Sequence, residues 1–265
     1  MRTTRSFFAE TLSVLLAPPL RSSMKLFLIR VRKLAHAVAS SSGRRALKRG
    51  VAASIEHRSA LDGVPYRTIV DIGANVGQFA LFAREQYPKA KVFSFEPLED
   101  CWDTFNSIFE SDPNVQLYRC GVGPADTQAA MNVTNENDSS SILPPAAAQV
   151  EVFGTKVNTT KKVELRRLTT LLREDQIAFP ALLKIDVQGF ELDVLRGCEE
   201  LLSSFDTLYV EASYVELYRG QALVGEVIDF LGHRGFEIRG VFNQHVDPTR
   251  GPLQADFMFK RALAS

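Results

Sequence analysis

The chain has 265 residues, of which 45% are apolar and 23% are charged, and its formal net charge is zero. This length and apolar content support one large domain with a full hydrophobic core and an N-terminal addition. Cys101, Cys120 and Cys198 lie far apart without a Cys-x-x-Cys pair, which argues against a disulfide framework or a structural zinc site. Such cysteine usage favours a reducing compartment.

The charges are unevenly distributed. Residues 1–50 hold eleven Lys and Arg residues but a single acid, Glu10, so the rest of the chain is correspondingly acidic. Met24 to Ala39 has the pattern of a basic amphipathic helix, which either lies on an anionic membrane surface or packs on the main domain. An organellar transit peptide is a further interpretation of the Arg- and Ser-rich start.

No transmembrane helix is predicted, because the apolar run from Phe7 to Leu20 is short and is interrupted by an acid and two prolines. Nucleic-acid binding is not predicted either, since the basic run lacks stacking aromatics and no recognised module follows it. We expect a cytoplasmic protein, with peripheral membrane contact through residues 1–50 as one alternative. The predicted organisation is an N-terminal extension over 1–62 and a domain over 63–265. The sequence predicts no particular oligomeric state.

The segment from Arg67 to Phe79 predicts a buried strand that turns into a helix near Asn75. Gly73 and Gly77 bracket the turn, where a residue without Cβ lets the backbone bend and lets a ligand approach the main chain. The start of the helix supplies unpaired N–H groups that suit an anionic ligand group. Asp71, at the end of the strand, suits a cationic one.

A second predicted strand, from Lys91, ends at Glu96, whose carboxylate can accept hydrogen bonds from both hydroxyls of a ribose. The two strands together predict half of a nucleoside site. The dinucleotide fingerprint G-x-G-x-x-G is not fulfilled, because Asn75 and Gln78 stand at its second and third glycine positions. A nicotinamide-dependent oxidoreductase nevertheless stays an alternative, since such enzymes also use an acid after the second strand.

The middle of the chain is predicted to contain a helix over 98–110 and a strand over 115–120. From 127 to 162 the sequence becomes irregular, which predicts a long functional or mobile connection. A short strand over 163–167 and a short helix over 168–175 are predicted to follow it.

Two later strands are each predicted to end in an acid. The strand over 181–187 ends at Asp186, and the strand over 206–212 ends at Glu211. The two carboxylates are therefore expected at the same carboxyl edge of the sheet, where ligands bind in open α/β folds. A helix over 224–233 and strands over 236–242 and 255–260 complete the prediction.

Four segments strongly resemble motifs of the FkbM family of S-adenosylmethionine-dependent methyltransferases. They are Val70-Asp-Ile-Gly-Ala-Asn-Val-Gly-Gln-Phe, Phe95-Glu-Pro, Leu183-Lys-Ile-Asp-Val-Gln-Gly-Phe-Glu-Leu-Asp-Val-Leu-Arg-Gly and Leu217-Tyr-Arg-Gly-Gln. The resemblance runs from about Tyr66 to Arg261. It implies a Rossmann-like class I methyltransferase fold, with a mostly parallel seven-stranded twisted sheet and helices on both faces, here preceded by a basic helical N-terminal extension.

The resemblance also implies a reaction: transfer of a methyl group from S-adenosylmethionine to a hydroxyl of a sugar, glycan or natural product. The implied cofactor-binding residues are Asp71, Gly73, Asn75 and Gly77 at the methionine end, Glu96 at the ribose, and Asp186 at the border with the acceptor. Methyltransferases commonly place an acid after the third strand to bind the adenine amino group, but this chain has none there before Asp126. We therefore expect backbone or apolar contacts around Gly121 and Val122 to hold the adenine. The family places a Ser-Ser pair near the active site, which Ser139 and Ser140 match.

An alcohol is a poor nucleophile while it keeps its proton, so a base or a metal is also expected. Asp186 and Glu211 are the candidate catalytic residues, either as the base or as joint ligands of a divalent cation such as magnesium. His245 is an alternative base. No His- or Cys-rich cluster argues for a transition metal. A membrane-associated scaffold that keeps the fold without turnover is the non-enzymatic alternative.

Overall fold

A computed structural model describes residues 40–262 of the protein. Its strands are β1 (Thr68–Ile72), β2 (Lys91–Phe95), β3 (Val115–Tyr118), β4 (Gly121–Val122), β5 (Thr127–Thr134), β6 (Val157–Arg166), β7 (Ala181–Ile185), β8 (Thr207–Ser213), β9 (Phe236–Asp247) and β10 (Gly251–Arg261). The main sheet has seven of these strands in the order β3-β2-β1-β7-β8-β10-β9, and a smaller sheet has the order β4-β6-β5. The pairings from β3 to β8 in the main sheet are parallel, whereas β10 is antiparallel to both neighbours. The predicted mostly parallel sheet is confirmed.

Helices cover both faces of the main sheet. They are α1 (Ser41–Lys48), α2 (Arg58–Leu61), α3 (Gln78–Gln86), α4 (Glu99–Phe109), α5 (Ala147–Phe153), α6 (Leu168–Leu171), α7 (Glu191–Cys198) and α8 (Val224–Gly232). Ile69 of β1 belongs to a hydrophobic cluster that contains side chains of α3 and α4. The adjacent Val70 belongs to a second cluster, with side chains of α7 and α8. Strand β1 is thus buried on both faces, as its apolar run predicts.

The first helix after β1 begins later than predicted. Asn75 and Gly77 have left-handed backbone angles, with φ of 47° and 96°, so the helix starts at Gln78 rather than near Asn75. A residue with left-handed backbone angles cannot belong to a right-handed helix. Residues 75–77 therefore belong to the turn that precedes the helix.

The prediction of an irregular connection over 127–162 was wrong, because this segment contains regular secondary structure. Strands β5 and β6 pair antiparallel along most of their length, and α5 lies between them in the sequence. The predicted strand over 163–167 is only the end of β6, which begins at Val157. The rest of β6 and all of β5 were missed, because the first half of β6 is exposed and mostly polar and its buried residues are Val163 and Leu165. Alternation of apolar and polar residues predicts a strand only where one face is buried.

Residues 40–62 pack against the main domain. Ala46 and Leu61 are buried in the same cluster as Ile69 of β1. The boundary between an extension over 1–62 and a domain over 63–265 stays a prediction, and the predicted helix from Met24 to Ala39 lies outside the described residues. Within residues 40–262, none of the helices has the length and apolar character required to cross a membrane.

Candidate active site

A cavity of about 570 Å³ lies at the carboxyl ends of the parallel strands. This volume lies in the range of small-molecule sites. Most of the predicted site residues line it, and these are Gly73, Asn75, Glu96, Gly121, Val122, Asp186 and Glu211. Asp71 and Gly77 are not among its lining residues. The structure therefore brings residues from β1, β2, β4, β7 and β8 to one site.

Glu96 is a buried acid on the wall of the cavity. Its side chain is almost fully buried, and its two oxygens accept hydrogen bonds of 2.8 Å from the backbone N–H groups of Asn75 and Leu98. Each carboxylate oxygen has a second lone pair, which remains for a ligand hydroxyl. Burial raises the pKa of Glu96 to about 7, against the lowering effect of the two backbone hydrogen bonds.

The two glycines of the turn have different roles. Gly73 has a φ of 84°, and a Cβ there would lie 1.8 Å from the carbonyl oxygen of Asp186. The turn after β1 therefore runs directly against the end of β7, beside the cavity. A Cβ at Gly77 would instead lie 2.8 Å from the Phe109 ring. Gly77 allows α3 to pack closely against α4, behind the wall of the cavity.

Asp71 lies beneath the cavity rather than on its wall. Its carboxylate is fully buried, and its Oδ1 is 3.3 Å from Nζ of Lys184. The same Nζ is 3.5 Å from Oδ2 of Asp186. Burial raises the pKa of Asp71, which the attraction of Lys184 partly offsets. Burial alone would lower the pKa of Lys184, but the attraction of Asp186 and Asp71 outweighs it and raises that pKa. Asp71 thus holds the ammonium that orients Asp186.

Asp186 and Glu211 are joined through one amide. Nε2 of Gln188 lies 2.9 Å from an oxygen of each carboxylate, and Gln188 has a left-handed φ of 58°. The other oxygen of Glu211 accepts a hydrogen bond of 3.0 Å from Gln254. Burial, followed by repulsion from Asp186 and Asp256, raises the pKa of Glu211 well above its usual value. Both carboxylate oxygens of Glu211 are thus held by amide N–H groups.

This arrangement does not fit the predicted magnesium site. The N–H donors of Gln188 point at both carboxylates, where a hard cation would need oxygen ligands. No group of three or more His, Cys, Asp or Glu side chains with the placement of a metal site occurs within residues 40–262.

The wall around Gly121 and Val122 is apolar. Both residues form β4, and a Cβ at Gly121 would lie 2.7 Å from the Leu165 side chain, so the backbone packs closely there. Apolar side chains complete this wall, namely Met131, Ile142, Leu165 and Phe190. Asp126 lies apart from them and accepts a hydrogen bond from the Arg167 backbone. This part of the cavity suits a flat, weakly polar ring.

The two late motifs interlock beside the cavity. The Tyr218 hydroxyl lies 2.9 Å from Oε1 of Gln188, and a Cβ at Gly189 would lie 2.9 Å from Cβ of Tyr218. The predicted serine pair is split. Ser140 lines the cavity and accepts a hydrogen bond from the Thr134 backbone, whereas Ser139 is absent from the lining residues.

His57 was not among the predicted site residues. This residue lines the cavity, with Nδ1 lying 3.4 Å from Oδ2 of Asp256 and 3.2 Å from the Tyr209 hydroxyl. The sequence signal was Asp256 itself, a charged residue between Ala255 and Phe257 on an apolar strand. His245, the alternative base, is exposed on β9 and is not part of the cavity lining.

Comparison with known proteins identifies the family. The methyltransferase FkbM domain matches residues 71–238. Methyltransferase sdnD of Sordaria araneosa is 30% identical over 196 residues, which cover 64% of this chain and 73% of that protein. The 2-O-methyltransferase NoeI of Sinorhizobium fredii is 28% identical and covers 69% of this chain and 77% of its own length. 31-O-demethyl-FK506 methyltransferase FkbM of Streptomyces tacrolimicus is 27% identical, and the match covers 66% of this chain and 74% of that protein.

Among solved structures, SMU.1697c from Streptococcus mutans in complex with SAH has 13% identity and a TM-score of 0.45, and covers 78% of this chain and 96% of that one. The FkbM domain match spans more than half of the chain and includes the cavity residues from Gly73 to Glu211. The chain therefore belongs to the FkbM family of S-adenosylmethionine-dependent methyltransferases.

Proposed function

We propose that this protein is an O-methyltransferase that methylates a hydroxyl of a sugar, glycan or natural product. The observation that carries the proposal is the buried Glu96 carboxylate, which faces the cavity with one lone pair on each oxygen available to a ribose. Two relatives, NoeI and FkbM, are named for methylation at oxygen, which supports an oxygen acceptor here.

The cavity residues divide between the parts of the cofactor. Glu96 would accept the two ribose hydroxyls, and the apolar wall at Gly121 and Val122 would cover the adenine. Gly73 and Asn75 would lie along the methionine end, where their backbone can be approached closely. When bound, S-adenosylmethionine supplies a methyl group on a positively charged sulfur, which the acidic lining of this cavity favours.

Asp186 and Glu211 are the residues that we assign to the acceptor side. The Asp186 carboxylate is partly exposed and held by Lys184 and Gln188, so it can accept a hydrogen bond from an acceptor hydroxyl in a fixed direction. Glu211 is held by the same Gln188 amide and can accept a further hydrogen bond. Methyl transfer is an in-line displacement that depends on such alignment and on exclusion of water.

Calorimetric titration with S-adenosylhomocysteine tests the cofactor site. The wild type should bind at micromolar concentration, and Glu96→Gln should weaken binding by roughly 1.5 to 3 kcal/mol, or about 10- to 150-fold, because a hydrogen bond to a charged acceptor is lost. Glu99→Gln, an exposed acid three residues away, is the matched control and should bind like the wild type. Binding of NADH instead of S-adenosylhomocysteine would contradict the proposal.

The acceptor is tested by the release of S-adenosylhomocysteine in the presence of methyl glycosides and polyhydroxylated natural products. Turnover with any of these hydroxyl compounds supports the reaction. A chain that binds S-adenosylhomocysteine but methylates no hydroxylated compound would favour the scaffold interpretation, since a fold alone does not establish catalysis.

A further inference from the structure

Four polar side chains from different parts of the chain converge beside the cavity. Oδ2 of Asp256 accepts hydrogen bonds of 2.8 Å from the Tyr209 hydroxyl and 2.7 Å from Nδ2 of Asn243, and it lies 3.4 Å from Nδ1 of His57. Asn243 reaches this position with a left-handed φ of 47° where the β9–β10 register shifts. Strained backbone and a buried acid are costly, and such arrangements occur mainly at functional sites.

The network favours one tautomer of the His57 ring. Nδ2 of Asn243 lies 3.3 Å from Nδ1 of this ring, but its shorter hydrogen bond, of 2.7 Å, is to Asp256. Because Tyr209 donates its proton to Asp256, its oxygen can accept one from Nδ1, and Asp256 attracts the same proton. Burial alone would raise the pKa of Asp256, but the hydrogen bond and charge attraction of His57 and the hydrogen bonds from Asn243 and Tyr209 outweigh it and lower that pKa. An ionised acid beside Nδ1 holds the neutral ring with its proton on Nδ1, which leaves the Nε2 lone pair available.

Aromatic rings hold the imidazole in place. The ring of His57 makes edge contacts with Phe79, Phe82 and Tyr209, with centroid distances of 5.3, 6.2 and 5.5 Å. A base that is fixed in this way loses little freedom during the reaction, which favours proton transfer in one direction.

The two acceptor-side carboxylates are less suitable bases. Both oxygens of Glu211 already accept hydrogen bonds from amide groups, those of Gln188 and Gln254. Asp186 shares its oxygens between the Lys184 ammonium and the Gln188 amide, both of which stabilise its charge. Among the residues that line the cavity, His57 is the one histidine.

We propose that His57 is a catalytic residue which takes the proton of the acceptor hydroxyl, and that Asp256 is its positioning residue. This inference rests on the proposed function. The hydroxyl oxygen bonds to the methyl carbon while the carbon–sulfur bond breaks and its electron pair stays on sulfur. The hydroxyl proton passes to Nε2 of His57, and the resulting imidazolium pairs with Asp256 until it releases the proton to water.

Nitrogen NMR of the histidine rings tests the tautomer without an acceptor. Full-length protein labelled with 15N-histidine and saturated with S-adenosylhomocysteine should show the neutral His57 ring with its proton on Nδ1. His57→Asn identifies the signal among the four histidines of the chain. A proton on Nε2 instead would overturn the proposal, because that nitrogen would then have no lone pair.

Kinetics test the proton transfer itself. His57→Asn keeps a donor toward Asp256 but removes the base, so kcat for a methyl glycoside acceptor should fall on the order of 100- to 10,000-fold with S-adenosylhomocysteine affinity within about 2-fold. His245→Asn, on the exposed strand, is the matched control. An unchanged kcat, or a parallel loss of S-adenosylhomocysteine binding, would refute the role. Failure of the wild type on every acceptor would count against the proposed function, and the ring NMR would still decide this inference.

Discussion

Replacing Lys184 with Met should strongly destabilise the fold, because the fully buried Asp71 would lose the ammonium 3.3 Å away. At this distance and an effective dielectric constant of about 20, the lost attraction is roughly 5 kcal/mol. In this variant Asp71 can take up a proton instead of staying charged, and this limits the loss of folding free energy. Neutralising an acid whose ordinary pKa is 3.8 costs roughly 4 kcal/mol at pH 7. Both estimates agree with the 3 to 5 kcal/mol typical of a broken buried ion pair.

Urea or guanidinium unfolding at pH 7 measures this free energy. Lys161→Met is the control, because the Lys161–Asp100 ion pair is also short but largely exposed, and its loss should cost less than about 1 kcal/mol. Lys184→Met combined with Asp71→Asn should recover a large part of the stability, since no buried charge remains unpaired. A loss below about 1 kcal/mol at Lys184, or no recovery in the double variant, would refute the reasoning.

The pH dependence gives this prediction a second test. In Lys184→Met, Asp71 would be protonated in the folded state and ionised in the unfolded state, so the folded state binds more protons. Stability must then fall as pH rises above the unfolded pKa of about 4, by about 1.4 kcal/mol per pH unit. The difference from the wild type should therefore shrink as the pH is lowered from 7 toward 4.

Two further predictions concern the cofactor side of the cavity. Burial raises the pKa of Glu96 to about 7, and ligand hydroxyls favour its ionised form. The affinity for S-adenosylhomocysteine should therefore fall as the pH drops from 8 to 6, by at most about tenfold per pH unit. Calorimetry at pH 8 and pH 6 checks this, and the affinity of Glu96→Gln should not depend on pH in this range. Gly73→Ala puts a Cβ against the carbonyl oxygen of Asp186 at a left-handed φ, so it should cost roughly 2 to 5 kcal/mol in denaturant unfolding. Gly225→Ala, which meets open space, is its control.

The sequence predicted those parts of the site that depend on one strand and the turn after it. Buried strands have continuous apolar runs, so the positions of Glu96 and Asp186 at the sheet edge followed from where those runs end. Glu211 instead lies within β8, which continues to Ser213 rather than ending at this acid. The face of each strand that the polar residues occupy depends on register. Asp71 pairs with Lys184 because β1 and β7 place them side by side, and one strand's sequence does not contain that information.

His57 illustrates a second limit. It enters the cavity from a segment that the sequence analysis assigned to an extension, and its partners on β8, β9 and β10 are at least 152 residues away along the chain. Such contacts depend on tertiary packing rather than on local periodicity. The same reason explains why β5 and the first half of β6 were not predicted, since their exposed residues form a strand only through their pairing with each other.

The packing of residues 40–62 changes how the basic N-terminus should be tested. We propose that residues 1–39, which contain seven of the eleven basic residues of the first fifty, contact anionic membranes, where each such residue contributes about 1 kcal/mol near the surface. A chain that begins at Gly63 would lack His57 and the buried Leu61, and should lose stability for that reason alone. A chain that begins at Ser40 is the suitable comparison. It should keep S-adenosylhomocysteine binding and lose co-sedimentation with phosphatidylserine vesicles at about 0.1 M salt, and equal sedimentation of both chains would exclude a membrane role for residues 1–39.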